Sequence, residues 1–413
     1  MGQQIKFLSV CLTSGLLISL YIMLDAFVAH YLVTDPVVLS LVTMWVGIVP
    51  SFLLLLLFNG LKVKKKKLGK SFDPEFRNIK LPSGKPFYYL LIAAAFGAVS
   101  TLAYYLSLAV FDASMMLPLM QFVTIYLIAA DFLTEKEMPV AVEIQAITMI
   151  TLGAILMTVN NSGFDMAAMT FVLIFLNLPA TMVTVFQSKA RNHKDEKGQT
   201  VDSLNLRMWY VIGLTATITV ISAPLVLLDS GRIEILFSTR WEAIVMVFTS
   251  MMITFLALAL FIRALAMGKM AIVNAFTSVN IIFTALLSIA GSLIFPEVYQ
   301  FPFSDPLLVF LRIAGALLLI VGIFSLSLTD SYIYIFIKLE STAQYRTPEI
   351  MKLIKDIKGV NAVSSVCGVY DLIATARIRT LGRANSLIVK KISLIPGLKK
   401  TDTRAAIYHW ERN

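Results

Sequence analysis

Charge is what this sequence has least of. Asp, Glu, Lys and Arg make up 15% of its 413 residues, and 58% are hydrophobic. Soluble domains are about 25% charged, so a water-solvated globule is excluded. Cysteine is nearly absent: Cys11 lies in the first apolar run and Cys367 near the C-terminus, which rules out a disulfide framework or a CxxC pair. The three histidines, His30, His193 and His409, lack metal-ligand spacing. No metal or other cofactor is expected. There is no GxSxG elbow, no Walker loop and no Ser/His/Asp set, so neither an enzyme nor an ATP-driven pump is expected. The N-terminal apolar run 7–33 is too long for a cleavable signal and is followed by no small-residue cleavage site.

What is present in abundance is apolar chain, with a mean hydropathy of +0.81. Long runs cover 7–31, 37–61, 87–111, 113–133, 140–160, 167–188, 204–228, 241–265, 269–295 and 306–328. Runs of this length span a bilayer as helices. The expectation is a polytopic α-helical membrane protein of about ten transmembrane helices. The net charge is +10, and the cations gather in two connections. One is 61–86, with Lys62, Lys64, Lys65, Lys66, Lys67, Lys70, Arg77, Lys80 and Lys85; the other is 188–203, with Lys189, Arg191, Lys194 and Lys197. Apart from Arg232 and Arg240, the opposite connections carry almost no cations. The positive-inside rule then places both basic loops, and both termini, in the cytoplasm of a cell whose plasma or inner membrane holds the chain. The lysine run reads as a topology anchor touching anionic lipid. With no aromatics interleaved, nucleic acid is not an expected partner.

Composition changes near Asp330. Residues 332–339 alternate like a strand, and Pro348 opens a helix after Thr347 with Ile350, Leu353, Ile354 and Ile357 at helical spacing. Strand-like runs follow at 360–367 and 370–379, a helix at 381–395 and a last strand at 399–410. The order βαββαβ is that of an α+β ferredoxin-like domain.

The membrane part repeats. The segment from Ser107 through Ser114 can be laid on that from Ala264 through Ala271, each a short break between spans. Each is followed by an apolar helix, then by Glu137 or Glu297, then by small residues two turns apart, Ala146 with Gly153 and Gly315 with Gly322. Five spans separate equivalent points, so the halves have opposite topology. Inverted five-helix repeats mark secondary transporters with a site between the halves.

Tyr104, Leu108, Ala109, Ala113, Ser114, Pro118, Glu137 and Gly153, with Ala264 through Gly268, Ala271, Glu297, Gly315 and Gly322 in the second half, resemble the EamA-type members of the drug/metabolite transporter superfamily. The tail, through Gly359-Val360, Gly368-Val369-Tyr370-Asp371-Leu372 and Ile395-Pro396-Gly397, resembles the ligand-binding (ACT-like) domain of Lrp/AsnC amino-acid-responsive regulators, without their DNA-reading helices. Together they divide the chain into a first transporter repeat, 1–160, a second, 161–330, and a cytosolic ligand-binding domain, 331–413.

Polar residues inside the spans are candidate contacts for a small-molecule substrate: Asp25, Tyr104, Gln121, Asn177, Thr181, Asn274 and Asn280. Each also has a bland reading, as a helix end or an interhelical hydrogen bond. Asp131, Glu143 and Arg263 lie near span ends, where solvation or anchoring accounts for them. In the tail, Gly368, Tyr370 and Asp371 are candidates for a regulatory ligand, and a tight hairpin is the alternative. The expected function is secondary transport of small metabolites, amino acids or related compounds, with the tail sensing a ligand and pairing the chains as a homodimer or higher. The rivals are a membrane sensor that transports nothing, and a carrier whose tail only oligomerises.

Overall fold

A computed structural model describes residues 2–63, 66–109, 119–135, 141–159, 170–194, 198–295, 299, 305–328, 330–357, 360–379, 388 and 391–405. Helix occupies each of the ten apolar runs. These helices are α1, Gly2–Phe27, which widens into a π turn at Val28–Leu32; α2, Pro36–Gly60; α3, Lys85–Leu108; α4, Val123–Glu135; α5, Ala141–Thr158; α6, Val172–Asn192; α7, Ser203–Leu227; α8, Trp241–Leu265; α9, Met270–Ser292; and α10, Pro306–Leu328. Among the described residues, α1 to α3 and α6 to α9 are each long and apolar enough to cross a membrane. Shorter apolar stretches lie in α5 at Ile144–Met157 and in α10 at Pro306–Gly322. Residues 113–118 of the fourth run, and Glu137 and Glu297, lie outside the described residues.

The helix starts follow from the sequence. Asp35 accepts from the amides of Val37 and Val38, with Pro36 as the first helical residue of α2. Asp202 accepts from the Asn205 amide to cap α7. Large apolar side chains face outward at Trp45, Leu53, Leu57, Val220 and Leu227. That surface suits lipid, not water.

The chain forms two compact units, residues 1–136 with 149–321, and residues 137–148 with 322–413. Within the first, α1 packs on α8, α3 on α6, and α7 on both α2 and α3. Two of the small residues singled out by sequence, Gly153 and Gly315, meet each other. A β-carbon on Gly153 would lie 2.5 Å from the Gly315 carbonyl oxygen, and one on Gly315 would lie 2.5 Å from that of Gly153. Small residues permit this close approach of α5 and α10.

The basic connection after α2 is more than a lysine anchor. Lys62–Val63 and Lys66–Lys67 pair as a hairpin, a single helical turn covers Leu68–Phe72, and Phe76 is fully buried among Leu54, Leu55, Phe58, Leu204, Met208 and Phe255. A second unanticipated helix, Ser230–Phe237, lies between α7 and α8. Its Arg232 pairs with Asp35 at 3.0 Å, which gives this cation a structural place in a connection otherwise poor in charge.

In the second unit, strands β1, Asp330–Leu339; β2, Val360–Ser365; β3, Leu372–Arg379; and β4, Leu398–Ala405 form an antiparallel sheet in the order β2-β3-β1-β4. That is the ferredoxin-like arrangement. Ile333, Ile335, Ile337 and Leu339 on β1 and Leu372, Ala374 and Ala376 on β3 are buried on one face, against Ile350 and Ile354 of helix α11, Thr347–Lys355, and against Ile388 and Ile392. Most of the expected 381–395 helix lies outside the described residues. A 3-10 segment, Ser341–Arg346, precedes α11, and Thr347 does not cap it: its hydroxyl donates to the Gln344 carbonyl.

Candidate functional site

Helix periodicity puts Tyr21 and Asp25 on one face of α1. Asp25 is 7% exposed. Its carboxylate accepts from the Ser250 hydroxyl of α8 at 2.5 Å and from the Tyr104 hydroxyl of α3 at 3.3 Å. The adjacent Tyr105 is also buried, within electrostatic reach of Asp25. Among the described residues no cation pairs with Asp25. A buried carboxylate held only by hydroxyls is costly inside a membrane protein, and such groups mark functional positions.

A second cluster joins α4 to α9. Asn274 donates to Thr124 Oγ1 at 2.7 Å and to Gln121 Oε1 at 3.4 Å. The Ser278 hydroxyl donates to Gln121 Oε1 at 2.5 Å, and Gln121 Nε2 lies 3.5 Å from Asn280 Oδ1. α9 is interrupted at Ser278, between helical pieces Met270–Thr277 and Val279–Ser292. α1 meets that break closely: Ser19 donates to the Asn280 carbonyl, and a β-carbon on Gly15 would lie 2.7 Å from the Thr277 carbonyl. Three of the seven candidates, Gln121, Asn274 and Asn280, are therefore in one hydrogen-bonded group, while Asp25 and Tyr104 are in another.

Asn177 and Thr181 stand on α6, where the π turn Val172–Asn177 meets Pro179. Asn177 Nδ2 donates to the Leu119 carbonyl at 2.9 Å, but its Oδ1 is buried without a partner. Thr181 donates to the Asn177 backbone carbonyl, an internal helix bond. The ordinary structural reading accounts for Thr181.

The span-end residues have definite structural tasks. Asp131 of α4 accepts from the Ala271 amide at 2.9 Å and from the Met270 amide at 3.4 Å, so it caps α9 across the bundle. Arg263 donates to the Phe72 carbonyl and anchors the basic loop. Of Glu143 only the backbone is described.

One residue escapes the sequence reading. Arg207 lies within the predicted span 204–228 and could have been found by inspecting every cation inside a run. It is 3% exposed, on the buried stripe of α7 with Tyr210, Val211, Leu214 and Ile218. Its guanidinium sits 5.4 Å from the Tyr210 ring centre, its Nε has no hydrogen-bond partner, and among the described residues no carboxylate pairs with it. Tyr21 lies within electrostatic reach of both Asp25 and Arg207.

In the tail, Gly368 adopts φ +145°, which favours glycine. Asp371 is the latch of the turn. Its carboxylate accepts from the Leu339 amide at 2.7 Å, its amide donates to Ile337, and its carbonyl accepts from Val366. Tyr370 donates to Asp402 at 3.0 Å and its ring packs on Phe336. The hairpin reading of this turn has structural support, and Asp371 is engaged with backbone instead of being solvated. Replacing Asp371 with alanine should therefore loosen β1 from the turn, at a cost of about 1–3 kcal/mol for the unpaired Leu339 amide. Faster hydrogen exchange at Leu339 and Val366 in the full chain is the expected readout. Exchange as slow as in wild type would show that the latch is dispensable.

Among the described residues, no three His, Cys, Asp or Glu side chains converge on a point that could hold a metal.

Comparison with known proteins adds two findings. Residues 332–409 match the Lrp/AsnC ligand binding domain. A solved crystal structure is similar to 78% of this chain and 95% of its own, with a TM-score of 0.53 at 12% identity; that likeness concerns the fold alone. No curated protein matches the chain.

Proposed function

We propose that this protein is a multi-pass secondary carrier of small metabolites, not an enzyme, built on an EamA-like pair of inverted repeats and fitted with an Lrp/AsnC-type domain. The observation that carries the reading is Asp25: a buried carboxylate without a cation, facing hydroxyls from two other helices. A purely structural bundle has no reason to keep it, because an apolar residue there would be cheaper. The broken α9, the π turn of α6 and the amide cluster between α4 and α9 supply the discontinuous helices and polar lining that carriers use near the bilayer midplane. Amino acids lead as substrates because the tail matches a domain of amino-acid-responsive regulators, which is an argument by analogy. The carrier lies in a plasma or inner membrane with both termini in the cytoplasm, in keeping with the lysine-rich connection after α2. The tail senses a cytosolic ligand and pairs two chains. Its ligand acts by binding more tightly to one carrier conformation than to another.

Counterflow in proteoliposomes tests this directly. Vesicles loaded with a mixture of unlabelled amino acids should accumulate at least one labelled amino acid above protein-free vesicles. No accumulation across the common amino acids, with tail binding retained, would leave a membrane sensor in place of a carrier.

A further inference from the structure

Arginine is the side chain least easily neutralised, because it keeps its proton under all ordinary conditions. Inside a helix bundle it must find an anion, a carbonyl or water. Arg263 and Arg191 illustrate this: the first donates to the Phe72 carbonyl, the second pairs with Asp73 and Glu75. Among the described residues, no carboxylate or carbonyl pairs with Arg207, and its Nε has no hydrogen-bond partner. It lies one turn inside α7, at the head of the stripe buried by the bundle, so its guanidinium cannot reach lipid headgroups along the outer face. The Tyr210 ring centre lies 5.4 Å from the guanidinium, and Tyr21 of α1, itself only partly buried, is within electrostatic reach. The arrangement lacks one component, a negative charge.

We propose that Arg207 recognises the carboxylate of the transported solute, in a site completed by Tyr210 and Tyr21. A carboxylate matches the planar fork of the guanidinium, and charge-assisted bonds of this type are strong. A single unpaired cation favours a monoanion over a phosphate ester, which carries about two negative charges and draws on several donors. A guanidinium without a paired carboxylate selects carboxylic acids over the corresponding amides. This assignment takes its context from the carrier reading above, but binding at Arg207 does not depend on transport.

The purified full chain tests it with glycine, L-leucine and acetate against glycinamide, L-leucinamide and acetamide. Phenylglyoxal labelling of Arg207, read by peptide mass spectrometry, localises the response to the bundle and away from the tail. The acids should protect Arg207 and raise the melting temperature; the amides should do neither. Arg207→Met and Arg207→Gln should weaken acid binding about tenfold or more, the loss of one charge-assisted contact. Arg207→Lys should retain part of it. Removing an unpaired buried charge should leave ligand-free stability unchanged or raised, whereas removing a structural arginine lowers it. Equal protection by amides, protection by inorganic phosphate alone, undiminished acid binding in Arg207→Met, or a ligand-free Arg207 closed to phenylglyoxal would each overturn the proposal. Protection without counterflow would refute the carrier and leave the anion site standing; counterflow without protection would do the opposite.

Discussion

Asp25→Asn should reduce counterflow at least about tenfold, the scale expected when a charge-assisted contact becomes a neutral one, while leaving the protein folded. Asparagine has the shape of aspartate: its Oδ1 can still accept from one of the hydroxyls of Ser250 and Tyr104, which now donate to separate carboxylate oxygens at 2.5 and 3.3 Å, and its Nδ2 can donate to the other. What it lacks is the charge. Ser250→Ala provides the complementary variant: it removes a hydrogen bond and keeps the carboxylate, so it should affect flux less. Wild-type counterflow in Asp25→Asn would reduce Asp25 to an interhelical hydrogen-bond acceptor. A variant that also melts early would point the same way, because the fold, not the solute, would then need the charge.

The second large effect is expected at the end of the bundle that carries the basic loop. Arg191 and Asp73 have side chains 4% and 1% exposed and lie 3.3 Å apart, and Arg191 also reaches Glu75 at 2.5 Å, Thr200 at 3.1 Å and the Val201 carbonyl at 3.0 Å. Asp73 in turn accepts from the amide and hydroxyl of Ser203 at 2.9 and 2.7 Å. Removing one partner of such a buried pair strands the other, at about 3–5 kcal/mol. Arg191→Met and Asp73→Leu should each destabilise the protein on that scale in thermal unfolding. The double variant should recover a large share, giving a clear coupling in a double-mutant cycle. Single variants within about 1 kcal/mol of wild type would mean that water reaches the pair.

Acid should weaken the same latch. Burial raises the affinity of Asp73 for a proton, but the Arg191 charge and the Ser203 hydrogen bonds outweigh it and hold the carboxyl below its ordinary range. A depressed carboxyl stabilises the fold above the unfolded value of about 3.9, and that stability is lost as pH falls through the folded value. Asp202, raised chiefly by burial with the Asn205 hydrogen bonds offsetting part of it, acts in the opposite sense. Asp73→Leu should therefore flatten the acid limb of the stability profile below about pH 4. The latch ties the basic connection after α2 to α6 and α7. A carrier that opens this end must release it.

The ten helical runs were legible because a bilayer makes one demand on the backbone: every amide must bond within its own segment. Length and apolarity are therefore sufficient signals. The ferredoxin-like tail was legible through alternation on β1 and the turn glycines, and residues 332–409 match the family its motifs resemble. Sequence singled out Gly153 and Gly315 as small residues, but that these two face each other is seen only in the packing of α5 on α10.

The site was only partly legible. Polarity within a span identifies a costly residue but not its neighbours. Gln121, Asn274 and Asn280 lie far apart in sequence and share one network, whereas Thr181, equally polar, is satisfied by its own helix. Asp131 looked like a solvated helix end and caps another helix. The lysine-rich loop looked like an anchor and contains the fully buried Phe76 and the carboxylate of the latch. Arg207 sits near the start of its run, where a long cation usually snorkels outward.

By itself, then, the sequence determined where the ten long helical runs and the strands of the tail lie, though not the short elements of the connections, because solvent preference and backbone bonding are local and additive along the chain. Which buried charges are paired was decided only by the tertiary structure. Pairing depends on atoms brought together from helices as far apart as α1 and α8 or α4 and α9, and no periodicity encodes that meeting. That, among the described residues, Asp25 has no cation and Arg207 no carboxylate became visible once those helices were packed.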